Sequence, residues 1–186
     1  MSAPTLPTSL RTIGVERLTL PDGTRLTVAK TKLTLTRWRG APVANTFGGK
    51  PLIDVDGAPM FAELAVATRL VADGWDVRWI EPAPAGAEPH LLTEWLDAPL
   101  TEQATVPIAV PAVRARLRAV ASVNKPAGYG GCWDLLAWRG EERLFVEVKL
   151  AGKDRLRPTQ LGWLDAALRC GFTASQFLIV DWEFTP

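Results

Sequence analysis

The chain has 186 residues, 47% of them hydrophobic and 22% charged, which is ordinary for a globular protein and long enough for a sizeable core. No apolar run reaches the roughly 18 residues of a membrane span. The first eight residues lack the basic start and apolar stretch of a secretion signal, and two Cys with one His make no zinc-ligand pattern, so an intracellular, cytoplasmic, reduced protein is expected. The formal net charge is only +1, but residues 111–170 hold 11 Lys and Arg against 6 Asp and Glu, whereas residues 1–110 hold 10 against 12. That concentration of positive charge suits a polyanionic partner.

In chain order, residues 1–10 read as a loose lead-in. Residues 12–32 read as strands around the turn Pro21-Asp22-Gly23. Residues 32–39 alternate Leu33 and Leu35 with Thr34 and Thr36, a half-buried strand. Lys30, Lys32, Arg37, Trp38 and Arg39 mix cations with a ring there, a pattern that serves either a nucleic-acid strand or a solvated sheet edge. Residues 45–50, with Gly48 and Gly49, form a loop without P-loop spacing. Residues 59–73 are expected to be a helix, with Pro59 in its first turn and Gly74 just past its end. Glu63 shares a face of that helix with Ala67 and Leu70. It is either an early-turn acid favoured by the helix dipole or a carboxylate on an apolar face that needs a partner. Residues 76–81 follow as a strand, with Trp75, Val77 and Trp79 on one side.

Residues 82–89 are linker-like, and residues 90–97 are expected to form a short helix whose His90, with no second ligand, is a surface residue. Residues 111–123 read as a helix with Val113, Leu117 and Val120 as its buried stripe. Arg114 and Arg118 share a neighbouring face, open to phosphate or to solvent. Residues 124–131, with three glycines, read as a flexible lead and a candidate substrate-access loop.

Residues 131–160 carry the chemistry. Two apolar runs flank a polar break at Arg139 to Glu142, which reads as a β-hairpin with Gly140 at the first central position of a II′ turn. That register sets Arg139 opposite Glu142, Leu136 opposite Phe145 and Asp134 opposite Glu147. Asp134, Leu136, Phe145, Glu147 and Lys149 then share one face. Opposed like charges on a ladder are unfavourable, and a divalent cation between them is one remedy. The other arrangement these residues permit leaves Asp134 in solvent at the strand mouth and pairs Glu147 with Lys149. After a basic connection containing Lys153, Arg155 and Arg157, residues 158–170 read as a helix. Leu161, Leu164 and Leu168 are its expected core stripe, with Gln160 beside Leu164 and Ala167. Residues 177–180 read as a short buried strand.

Asp134, then Glu147-Val148-Lys149, a glycine, Lys153-Asp154-Arg155-Leu156, Pro158, Gln160 and Trp163-Leu164 resemble the VRR-NUC branch of the PD-(D/E)xK nuclease superfamily. The resemblance covers roughly residues 59–182, closest at 131–171, with Trp133 where the family usually has Pro. It implies a restriction-endonuclease-like α/β core, αβββαβ, a mixed sheet flanked by helices, in residues 59–186, with an insertion at about 82–130 and an N-terminal β-rich extension in residues 1–58. That extension has three candidate roles: binding substrate, forming a homodimer, or completing the sheet.

The activity so implied is a Mg²⁺- or Mn²⁺-dependent nuclease acting on DNA, with RNA as the other substrate. Asp134, Glu147 and the Val148 backbone carbonyl would bind the metal, and Glu63 would join them directly or through water. Lys149 and Gln160 would act on the attacking water or the phosphate. Lys153, Arg155 and Arg157, with Arg114 and Arg118, would hold the nucleic acid. The alternative is a nuclease-fold binding or assembly module without catalysis.

Overall fold

The structure is a computed structural model and describes residues 4–44, 47, 49–83 and 87–186. Nine strands and three α-helices are present among these residues, with short 3-10 turns between them. The strands are β1 (Gly14–Thr19), β2 (Arg25–Leu35), β3 (Leu52–Val55), β4 (Ala58–Phe61), β5 (Asp76–Glu81), β6 (His90–Leu92), β7 (Leu135–Arg139), β8 (Glu142–Leu150) and β9 (Phe177–Phe184). The helices are α1 (Ala62–Ala72), α2 (Pro111–Val123) and α3 (Pro158–Arg169). Seven strands make one mixed sheet in the order β1-β2-β9-β8-β7-β5-β6, while β3 and β4 form a separate hairpin.

The centre of the sheet follows from local chemistry. Gly140 adopts φ +54° while Glu141 keeps a negative φ, as a II′ turn requires. Arg139 therefore pairs with Glu142 and Leu136 with Phe145, the register expected from the sequence. β7 runs antiparallel to both of its neighbours, β5 and β8. β8 and β9 are parallel, so α3 is the crossover between them. The elements from α1 onward run α1, β5, β7, β8, α3, β9, with β6 and α2 inserted between β5 and β7.

Alternation along the strands divides the interior in two. Val77, Trp79, Leu135, Leu144 and Val146 pack with the α1 residues Leu64, Val66 and Leu70. Ile80, Leu136, Phe145 and Ile179 pack on the other face with Val113, Leu117 and Val120 of α2 and Trp163 and Leu164 of α3.

The N-terminal strands complete this sheet, because β2 lies parallel to β9 from Ala29↔Leu178 to Leu35↔Phe184. β2 is thus an interior strand rather than an edge. Lys30 pairs with Glu16 and Asp181, Lys32 with Glu183, and Arg37 lies 3.7 Å from the Phe184 ring centre. The lead-in is also tied down: Leu10 is fully buried, and Thr5 bonds to Glu142 and Arg139 at the hairpin turn.

Other sequence expectations need correction. The first helix begins at Ala62, not Pro59, which lies in β4 opposite Asp54. Asp56 and Gly57 are both at positive φ, +52° and +80°, and this Asp-Gly pair turns β3 into β4. Residues 90–92 are strand β6 rather than helix, because Leu91 and Leu92 complete the edge beside Ile80 and Trp79. On α3, Gln160, Trp163, Leu164, Ala166 and Ala167 are buried, whereas Leu161 and Leu168 lie half-buried on the flanks. The lead at 124–131 is a cross-linked turn, since the Asn124 side-chain amide donates to the carbonyls of Gly128 and Gly130. The loops expected at 45–50 and 82–89 lie partly outside the described residues. No described helix is long and apolar enough to cross a membrane.

Candidate metal and phosphodiester site

Asp134 stands just before β7, where the Ile80 N–H of β5 donates to its carbonyl at 2.7 Å. Its side chain caps the end of the β7–β8 ladder: Oδ2 accepts the Val148 N–H at 2.8 Å. In return, the Asp134 N–H donates to Glu147 Oε2 at 3.3 Å. A strand residue presents its N–H and C=O on the same side. The Val148 carbonyl therefore opens toward Asp134 as well.

Glu147 is fully buried. Its Oε1 accepts from both Lys149 Nζ and Gln160 Nε2, so the lysine two residues along the strand points to the same spot, as alternation requires. Lys149 also donates to Gln160 Oε1 at 3.2 Å, and the Arg157 N–H donates to that oxygen at 2.9 Å. Gln160 thus reaches back over the first turn of α3 and fixes the helix start against the site. Two further contacts seat α3. Trp133, which is fully buried, donates its indole N–H to the Gln160 carbonyl at 3.2 Å. Gly131, at φ +79°, lies so close to Thr159 that an added Cβ would fall 2.2 Å from the Thr159 carbonyl oxygen.

Glu63 enters from α1. Its carboxylate meets the Lys50 ammonium at 2.9 Å, and Glu81 at the end of β5 meets the same ammonium at 2.8 Å. These groups line one open cleft of about 610 Å³, rimmed by Lys153, Arg155 and Arg157. Of the residues singled out in the sequence, the structure gathers Asp134, Glu147, Val148, Lys149, Gln160, Glu63, Lys153, Arg155 and Arg157 there. Arg114 and Arg118 are exposed on α2, do not line the cleft, and Arg118 pairs with Glu88.

Burial dominates the electrostatics. It pushes Asp134 well above the usual carboxylate range, helped by repulsion from Glu147 and Glu63 and opposed by Lys50 and the Val148 N–H. Glu147 is also raised by burial, with Lys149 opposing. Burial, then Glu147 and Asp134, push the Cys132 thiol well up. For Lys50, burial is the largest effect and disfavours the ammonium, but Glu63, Glu81 and Asp134 together outweigh it and hold the group above its ordinary value.

Among the described residues, no three His, Cys, Asp or Glu groups form a ready metal cluster. A Mg²⁺ or Mn²⁺ ion nevertheless fits the donors present. Hard cations of this size take one or two carboxylates and fill their remaining positions with water and substrate oxygens. Asp134 and Glu147 are two mutually repelling carboxylates beside a main-chain carbonyl.

Sequence reasoning missed Lys50, Glu81 and the seating roles of Trp133 and Gly131. The one available signal for Lys50 was Glu63 itself, a carboxylate on an apolar helix face that demands a cation. Nothing in the local pattern named which cation. No protein-family model, no curated protein and no solved structure matches this chain.

Proposed function

We propose that this protein is a divalent-metal-dependent phosphodiesterase that cleaves DNA, built on a restriction-endonuclease-like core. The observation that carries this reading is the convergence of Asp134, Glu147, Lys149 and Gln160 on one cleft with a basic rim. Asp134, Glu147 and the Val148 carbonyl would hold the ion, and Glu63 lies in the same cleft behind Lys50. When bound, Mg²⁺ or Mn²⁺ supplies a water of lowered pKa and neutralises charge growing on the phosphoryl oxygens. Lys149 adds fixed positive charge where phosphoryl oxygens become more negative. Gln160 orients Lys149 and Glu147, and its amide can hold the attacking water. Lys153, Arg155 and Arg157 bind the phosphates flanking the scissile bond.

The second reading is a nuclease-fold nucleic-acid-binding or assembly module without catalysis. It is favoured by Glu147 Oε1, which accepts from two protein donors, Lys149 Nζ and Gln160 Nε2. Cleavage of labelled linear, single-stranded, flap, fork and four-way-junction DNAs, and of a matched RNA, in Mg²⁺, Mn²⁺ or EDTA separates the two. Metal-dependent products support the enzyme. Retention of nucleic acid without products, and without metal binding, supports the module.

A further inference from the structure

We propose that the Lys50 ammonium is the resident second cation of this centre, so that the cleft takes one divalent ion where an ammonium-free cleft would take two. The proposal rests on the reading of Asp134 and Glu147 as metal ligands.

Charge and geometry carry it. Five carboxylates line the cleft: Asp154, whose Oδ2 accepts the Leu150 N–H among the rim cations, and Glu63, Glu81, Asp134 and Glu147. The last four fall into two groups. Asp134 and Glu147 meet across the end of the β7–β8 ladder, with Lys149 and Gln160 on the α3 side. Glu63 and Glu81 belong to α1 and the end of β5, and they share one Lys50 nitrogen at 2.9 and 2.8 Å. A single positive centre shared by two carboxylates from different elements stands where a second divalent ion of a two-metal phosphodiester site would find its carboxylate ligands.

Lys50 is also held there. Its ammonium lies 4.9 Å from the Trp79 ring centre, a cation–π contact, and its attraction to Asp134 joins the two groups electrostatically. Lys50 already stands between Glu63 and Glu81, as Lys149 stands against Glu147, so a second divalent ion at the Glu63–Glu81 pair would have to displace or repel Lys50. Glu63 is thereby committed to Lys50, and the cleft presents a lysine from each wall: Lys149 from the α3 side and Lys50 from the α1 side.

The test is Mn²⁺ binding to the full chain without nucleic acid, read by calorimetry and by the electron paramagnetic resonance of the bound ion. The wild type is compared with Lys50→Met, which keeps most of the apolar stem and removes the charge. The expected result is one Mn²⁺ per chain in the wild type and two in Lys50→Met, with dipolar coupling between the ions. Adding Glu63→Gln and Glu81→Gln to Lys50→Met is expected to return the stoichiometry to one. One ion in both wild type and Lys50→Met, or two in the wild type, overturns the role of Lys50 while leaving the metal centre standing. No Mn²⁺ in the wild type overturns the metal reading and this inference with it. If Lys50→Met does not fold without metal, a cooperative thermal transition restored by Mn²⁺ supports the proposal, and no restoration contradicts it.

Discussion

Asp134 and Val148 close the ladder between β7 and β8 with a side chain in place of a backbone group. The Asp134 carboxylate accepts the Val148 N–H at 2.8 Å, where a further β7 residue would otherwise supply a carbonyl. The same bond aims a carboxylate at Glu147, so the end of the central hairpin and the start of the site are one feature.

That position costs the metal-free protein stability. Asp134 and Glu147 both have raised folded pKa values, relative to ordinary values of 3.8 and 4.5. Well below those values both groups are protonated whether folded or not, and they contribute nothing. As pH rises through them, the unfolded chain ionises freely while the folded chain resists. Their contribution to stability therefore falls, levelling off only above the raised folded values. Asp134→Asn keeps an acceptor for Val148 and removes the charge. It is expected to stabilise the metal-free protein at neutral pH by at least about 1 kcal/mol, the worth of a single pKa unit, and to flatten the pH dependence. Thermal melts from pH 4 to 8 check this. In the wild type, Mn²⁺ is expected to raise Tm more at pH 8 than at pH 5.

The close approach of Gly131 to Thr159 predicts a sharp contrast between two glycines. Gly131 at φ +79° has no room for a Cβ, while Gly152 at φ +75° faces open space. Gly152→Ala is expected to cost about 1–2 kcal/mol, the strain of a left-handed residue. Gly131→Ala is expected to cost roughly 3 kcal/mol or more, because backbone must move. Denaturant melts compare them directly.

Much of this arrangement is legible in the sequence, and the reason is strand alternation. Gly140 marks the turn, the turn sets the register, and the register alone brings Asp134, Glu147 and Lys149 together. The stripe of α2 is equally plain, with Val113, Leu117 and Val120 buried as its periodicity implies. Pro59 misleads because proline suits both a helix start and an edge strand, and only the Asp56-Gly57 turn decides between them. Short β6 carries too few residues to show a period. Lys50 reaches Glu63 and Glu81 across 13 and 31 positions, and no local rule encodes such a contact. The stripe expected on α3 counts leucines, but of the three only Leu164 is buried, and Gln160, Trp163, Ala166 and Ala167 make up the rest of the buried face.

Gln160 is held by Glu147, Lys149 and the Arg157 N–H, so its loss acts on the site and on the helix start together. Gln160→Ala is expected to cost about 1–3 kcal/mol, the range for leaving buried polar partners unmet. It is also expected to slow cleavage about 10²-fold, comparable with removing one transition-state donor. Gln160→Glu adds a like charge beside Glu147, and its melt is expected to recover at acidic pH while that of Gln160→Ala does not. Single-turnover rates and melts on the same preparations separate the two effects.

The basic rim predicts which arginines touch phosphate. Arg155→Ala and Arg157→Ala are each expected to weaken DNA binding and to reduce the slope of log K against log salt by about one. Arg114→Ala, outside the cleft, is expected to leave both unchanged. Binding titrations in EDTA at several salt concentrations give the slopes.

The most direct test is cleavage of labelled DNA by the wild type, Asp134→Ala and Glu147→Ala, purified in parallel and assayed in Mn²⁺. The account predicts metal-dependent products from the wild type only, with DNA binding by the two variants within a few-fold of wild type. Equal cleavage by the wild type and either variant would contradict it.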